Sequence, residues 1–340
     1  YPAAPAGYPA FPVVLTSDAR GFRNRGQLDH YDTVAVGDSF VAGSHVSDEH
    51  AWVELLRQRT GQSIYNLGVS GTDPLVYLNN FVTVGRKLQP KTVLVMLYEG
   101  NDFRDAPPVP KAVANPVSAA PVGDPTLSVG FLAKASPVTQ GLRRLSNEVL
   151  AEIGADRAVP GYAETVGFMP LRVDTPAGQH AYSFEPKRLL YLGDSEQDFA
   201  ASSDWRNVRE VLEQFVLLSK KDNFRLVLVY APSTPHVVLP LAADRIPAGQ
   251  LLNFARFKDK DLQLDADTYK QQVLARLDSQ ENVWMQWCRE TGVECVSTTL
   301  ALREAAAAGR QVYFTYDQHW TPDGNAVVGE VLATYLSGGR

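Results

Sequence analysis

Three apolar runs stand out along the chain: "TVAV" (33–36), "TVLVMLY" (92–98) and "RLVLVYA" (225–231). Each is short, rich in Val and Leu, and bounded by polar or turn residues, the pattern of strands buried on both faces. "SIYNLGV" (63–69) is a fourth such run and "VECVST" (293–298) a weaker fifth. Between them the apolar positions recur at helical spacing. "DEHAWVELLRQRTG" (48–61) opens on acidic residues and ends at Gly61, as helices do. "DPLVYLNNFVTVGRKLQP" (73–90) sets Leu75, Leu78, Val82 and Leu88 roughly on one face. The stretches 203–223 and 266–292 predict two long amphipathic helices, and a last helix follows Thr321 as N-cap with Pro322 at its first position. Strands alternating with helices predict an α/β fold whose mostly parallel sheet is covered on both faces. Sites in such sheets form at the carboxyl ends of the strands.

The rhythm breaks over 103–200, which begins with the Pro- and Ala-rich "APPVPKAVANPVSAAPVGDP". This region reads as an insertion in a single domain spanning 31–340, packed over the carboxyl edge of the sheet either as a surface excursion or as a lid or substrate wall, with a short helix at 137–153. Residues 1–30, opening "YPAAPAGYPAFP", read as an N-terminal linker of the kind exposed once a leader or anchor is removed. That points to a periplasmic, secreted or cell-envelope location.

The chain has 340 residues, with 45% hydrophobic and 21% charged positions, enough for a sizeable core. A net charge of −6 without a long basic run argues against a nucleic-acid partner. No apolar stretch is long enough to span a membrane. Cys288 and Cys295 have no companions that would complete a zinc site. They read first as two buried thiols and, alternatively, as a local disulfide.

Four loops fall where a site belongs. Ser39 follows "TVAV", "NLGVSGTD" (66–73) follows the next strand, "YEGND" (98–102) ends the third, and "YDQHWTPDG" (316–324) precedes the last helix. Acyl transfer needs such a set. A serine hydroxyl is a poor nucleophile until a base takes its proton, a role His319 can fill. A carboxylate, Asp317, can hold the imidazole in the right tautomer. The backbone N–H groups of Ser39 and Gly71, with the Asn101 amide, can donate to the oxyanion. Asp317 could instead be a cap, leaving a Ser39–His319 dyad. A second Gly-Asp-Ser, 193–195, is followed by Glu196 and Asp198, whose charge opposes a nascent oxyanion, and it reads as a turn.

With Gly37-Asp38-Ser39, "NLGVSGTD", "VLVMLYEGND" and "DQHWTPDG", the chain resembles the SGNH hydrolases, the GDSL-type esterase and acyltransferase superfamily. The resemblance covers about 31–105 and 310–337. It implies a three-layer α/β/α, flavodoxin-like fold, no metal and no cofactor. It also implies Ser39 as nucleophile, Gly71 and Asn101 in the oxyanion hole, and His319 as base. Two departures matter. The usual Asp-x-x-His spacing would put the acid at Tyr316, whereas Asp317-Gln318-His319-Trp320 is similar to the block of alginate O-acetyltransferases, which work on exopolysaccharide in the bacterial envelope. The serine nevertheless precedes the histidine block, as in ordinary SGNH esterases. Glu99 stands where many members have glycine, and could shape the pocket.

Further candidates line up beside this set. Arg104 could bind an acidic sugar, His236 could reach substrate from the loop after 225–231, and Trp320, with Tyr98 and Tyr316, could wall a sugar ring. His45 follows Ser39 closely enough to flank the pocket. The expectation is a serine-dependent esterase or O-acyltransferase acting on acetyl-type esters of a carbohydrate, with possible polysaccharide-biosynthesis partners. The alternatives are a catalytically silent polysaccharide-binding scaffold and a lipid or thioester esterase.

Overall fold

The structure, a computed structural model, describes residues 12–104, 106–108 and 169–338. The predicted strands form β1 (Thr33–Val36), β2 (Ile64–Asn66) and β3 (Thr92–Tyr98). Further along come β4 (Met169–Thr175) and β5 (Gly178–Phe184) within the insertion, then β6 (Arg225–Ala231) and β7 (Glu294–Ser297). Five of them make one sheet in the order β2-β1-β3-β6-β7, every pair parallel. The chain therefore leaves β1 for one side, returns across it to β3, and opens its crevice at the carboxyl end of β1.

Side-chain alternation along the strands builds the three layers. Val93, Val95 and Leu97 of β3 join one buried cluster, with Tyr77, Phe81, Trp205, Leu212 and Trp284 from helices on that face. Leu94, Met96 and Tyr98 point the other way, into a cluster with Trp52, Leu56, Val238, Leu302 and Val328. The period of two is the pleat itself, and both faces being dry is why the runs are apolar throughout.

The predicted helix over 266–292 is two helices, Ala266–Arg276 and Ser279–Thr291. The reason is packing. Tyr269 and Val273 of the first join one cluster, while Val283, Trp284 and Trp287 of the second join the cluster on the opposite face, so no straight helix serves both. The stretch 73–90 ends as a helix at Thr83 and continues as a 3₁₀ turn, Gly85–Leu88. The last helix, Pro322–Gly338, begins where expected, with Thr321 Oγ1 accepting from the Gly324 N–H. Helices over Thr234–Ala242, Ala248–Ala255 and Thr299–Ala307 lay outside the pattern reading. The two thiols are joined as a Cys288–Cys295 disulfide, correcting the first reading of that pair. It ties the helix Ser279–Thr291 to the edge strand β7.

The described end of the insertion is regular. β4 and β5 form an antiparallel hairpin whose Met169, Leu171, Val173, Tyr182 and Phe184 enter the main core. The helices Pro186–Tyr191 and Glu196–Ala201 follow. The helix expected at 137–153 and residues 1–11 lie outside the described residues. Residues 12–30 hold to the body: Arg23 bonds to Asp48, and buried Asn24 receives the Asn66 N–H.

Candidate active site

Asp38 caps the short helix Ser39–Ala42 by accepting the Phe40 N–H, which sets Ser39 at the mouth of β1. The loop after β2 runs alongside it, with the Leu67 and Val69 N–H groups donating to the carbonyls of Ala35 and Gly37. Asn66 locks the two together, donating to the Val41 carbonyl and accepting from the Gly68 N–H. A Cβ at residue 68 would lie 2.2 Å from the Ala42 nitrogen, so only glycine lets the loop approach this closely. Gly71 has φ +73°, a left-handed conformation that glycine adopts without strain.

On the far side, a bridge between Tyr313 and Trp320 closes a tight loop that presents Asp317, Gln318 and His319. The two-residue spacing has a local cause. Asp317 Oδ1 accepts the His319 N–H at 2.7 Å, and the same oxygen meets His319 Nδ1. One Asx-type turn thus delivers both the loop's conformation and the carboxylate that orients the ring. His319 Nε2 lies 2.7 Å from Ser39 Oγ. With Nδ1–H donating to Asp317, Nε2 is the acceptor for the serine proton. The structure therefore joins Ser39, His319 and Asp317 in one hydrogen-bonded chain.

Burial alone would lower the His319 pKa, but the charge and hydrogen bond of Asp317, with Asp38 and Glu185 further out, hold it above its ordinary value. Asp317 is pushed up by burial and held by His319 at about 2, so it stays ionised. Phe40 stacks on Tyr98 at 4.1 Å and lies 5.0 Å from the His319 ring, forming the floor. Burial raises the Asp38 carboxyl above its ordinary value, and the Phe40 N–H, His319 and the nearby Asn101 amide offset part of that rise.

Four other candidates are placed elsewhere. Glu99 is 1% exposed and accepts from Tyr230 Oη, the Ser233 N–H and hydroxyl, and His236 Nδ1. His236 is itself buried and reaches Asp278 through Nε2 at 2.8 Å. Their polar atoms are spent on each other, so neither side chain is offered to a ligand. Arg104 donates to the Tyr191 carbonyl, pairs with Asp194 at 2.7 Å and lies over the Tyr191 ring. Trp320 is 1% exposed and packs edge-on against Phe40, a core side chain and not a wall. The second Gly-Asp-Ser is structural: Asp194 holds Arg104, and Ser195 caps the helix Glu196–Ala201.

Two contributors escaped the sequence reading. Arg188, from the insertion, is 4% exposed and grips Gln318 Oε1 through Nε and Nη2 at 3.1 and 2.6 Å. The hairpin braces the same loop, with Gln311 Nε2 and Thr315 Oγ1 both donating to the Ala181 carbonyl. Neither contact is signalled locally, because the partners of Arg188 and Ala181 stand about 130 residues further along the chain.

A serine, a histidine and a carboxylate aligned at the carboxyl edge of a parallel sheet are the set that acyl transfer through a serine nucleophile requires. Residues 248–339 match the family model described as "SGNH hydrolase-like domain, acetyltransferase AlgX". Among solved structures, the chain is similar to a member of the lipolytic protein G-D-S-L family from Veillonella parvula, at 9% identity and a TM-score of 0.40, over 91% of this chain and 98% of that one. It is also similar to a GDSL-like lipase from Bacteroides thetaiotaomicron, at 12% identity and a TM-score of 0.35, over 91% and 88%. A carbohydrate acetylesterase family member from Sinorhizobium meliloti superimposes at 11% identity and a TM-score of 0.36, over 90% and 97%. No curated protein sequence matches the chain. Among the described residues, no helix is long and apolar enough to cross a membrane.

Proposed function

We propose that the protein is a serine-dependent ester hydrolase or O-acyltransferase that handles small acyl groups, acetyl foremost, on a carbohydrate or envelope polysaccharide. The observation that carries the reading is the 2.7 Å contact of Ser39 Oγ with His319 Nε2, backed by Asp317 on the opposite ring nitrogen. His319 takes the hydroxyl proton as Oγ attacks the acyl carbonyl. The oxyanion accepts from the Ser39 and Gly71 N–H groups and from Asn101. Collapse of the tetrahedral intermediate expels the alcohol, which leaves with the proton from His319. Water or a sugar hydroxyl, deprotonated by His319, then releases the acyl group and restores Ser39. Asp317 stays ionised throughout and stabilises the imidazolium.

The match of 248–339 to an acetyltransferase domain supports acetyl as the acyl group. The Cys288–Cys295 disulfide supports work in an oxidising compartment such as the periplasm. The test is hydrolysis of a chromogenic acetyl ester by wild type and by Ser39→Ala. Turnover in the first and none in the second is expected. Inactivity of the wild type on acetyl, butyryl and thioester donors would overturn the enzyme reading and leave a binding scaffold. Mass spectrometry of acetyl-Ser39, followed with and without oligosaccharide acceptors, separates transfer from hydrolysis.

A further inference from the structure

His45 approaches the same carboxylate from the solvent side. Its backbone sits at φ 68°, in the left-handed region, which costs energy in a residue with a Cβ and marks positions held for a reason. Its side chain is 40% exposed, and its Nε2 lies 3.5 Å from Asp317 Oδ2. That is longer than a good hydrogen bond. It is close to the edge of a zinc tetrahedron, about 3.3 Å between ligands when the metal bonds are about 2.0–2.1 Å. The rings of His45 and His319 are 4.7 Å apart. The donor atoms of His45, Asp317 and His319 all lie within 4.8 Å of one another. Two imidazoles and a carboxylate are ligands that suit Zn²⁺, which also tolerates a fourth position filled by water.

We propose that His45, Asp317 and His319 form a Zn²⁺ site that switches the protein off. The ion takes His45 Nε2, Asp317 Oδ2 and His319 Nδ1. Binding at Nδ1 displaces the proton that this nitrogen donates to Asp317. In the neutral ring the proton passes through solvent to Nε2, so no net proton is released and nothing is oxidised or reduced. Nε2 then donates to Ser39 Oγ and cannot accept its proton. The block is reversible, because removing the ion restores the tautomer. The exposure of His45 gives the ion its path, and His45 stands outside the Ser39–His319–Asp317 chain of hydrogen bonds, so turnover does not require it.

The inhibition rests on the reading of Ser39 and His319 above, whereas the binding rests on geometry alone, so two measurements keep them apart. Calorimetric titration of ZnCl₂ into the wild type is expected to show one site per chain. His45→Ala and His45→Gln should each weaken it by roughly tenfold or more, while Asp278→Asn leaves it unchanged. Titration with Co²⁺ should give the visible absorption of a tetrahedral ion in the wild type and not in His45→Ala. In the acetyl-ester assay, Zn²⁺ should inhibit the wild type, EDTA should restore it, and His45→Ala should keep its turnover while needing roughly tenfold more Zn²⁺ for the same inhibition. Equal zinc affinity in wild type and His45→Ala, or no binding by the wild type, overturns the site. If no ester is hydrolysed, the isotherms still decide the site and only the functional reading fails.

Discussion

Asp317 serves two masters at once: its Oδ1 fixes the backbone N–H of residue 319 and faces the ring of the same residue. Asp317→Asn keeps the shape of the turn, because an asparagine oxygen still accepts the N–H, but it removes the charge that stabilises the imidazolium. The expected result is a folded protein with kcat lowered by about 10⁴ on an acetyl ester. Near-full turnover would reduce the site to a Ser39–His319 dyad. This residue was legible in the sequence because Asx turns have a fixed short range. Glu99 was not. Its position beside "GND" suggested the pocket, yet its lone pairs are filled by Tyr230, Ser233 and His236, partners brought from 131 to 137 residues away. Polarity at a strand exit is visible in a sequence, whereas the distant group that satisfies it is not.

At the scale of elements, the strands and most flanking helices were readable from periodicity, since each must bury a face. The break at 277–278 was not, because both halves of 266–292 carry helical patterning and only the location of the two cores separates them. The insertion shows the other limit. Its last third is a hairpin and two helices, and one of these aims Arg188 at the residue between the acid and the base. Arg188 also lies 5.5 Å from the centre of the Tyr98 ring, in the floor under His319. Removing it frees Gln318 and so the tip of the histidine loop. Arg188→Ala should lower kcat/KM by roughly 10- to 100-fold with the Ser39 burst chemistry intact. Lysine should not rescue it, because it lacks the planar fork. Steady-state kinetics on the same ester, with circular dichroism as the folding check, decides this; unchanged kinetics in Arg188→Ala would make the contact incidental.

At the scale of the whole molecule, the Glu99–His236–Asp278 line fastens the exit of β3 to the helices beyond β6. Burial lowers the His236 pKa, but Glu99, Asp278 and Glu281 raise it to about 10 against an ordinary 6.5. A raised folded value means that this stabilisation is fully present below about pH 6.5 and is lost as pH climbs through about 10. The urea midpoint should therefore fall between pH 8 and 11, and His236→Gln should flatten that fall. At neutral pH the same substitution is expected to cost about 3–5 kcal/mol, the price of stranding a buried partner. A wild-type midpoint that does not move across this interval would mean that His236 folds neutral.

The contact between His319 and Ser39 joins residues 280 positions apart, and its two halves enter through opposite ends of the chain. Neither half can be organised before the sheet between them exists. Competence for turnover would thus report chain closure: on refolding, fluorescence from Trp284 should recover with its local core, and turnover only when the last helix docks on the helix Trp52–Thr60. A protease cut between the two ends puts Ser39 and His319 on separate fragments, so turnover after such a cut measures whether the shared core still holds the two together.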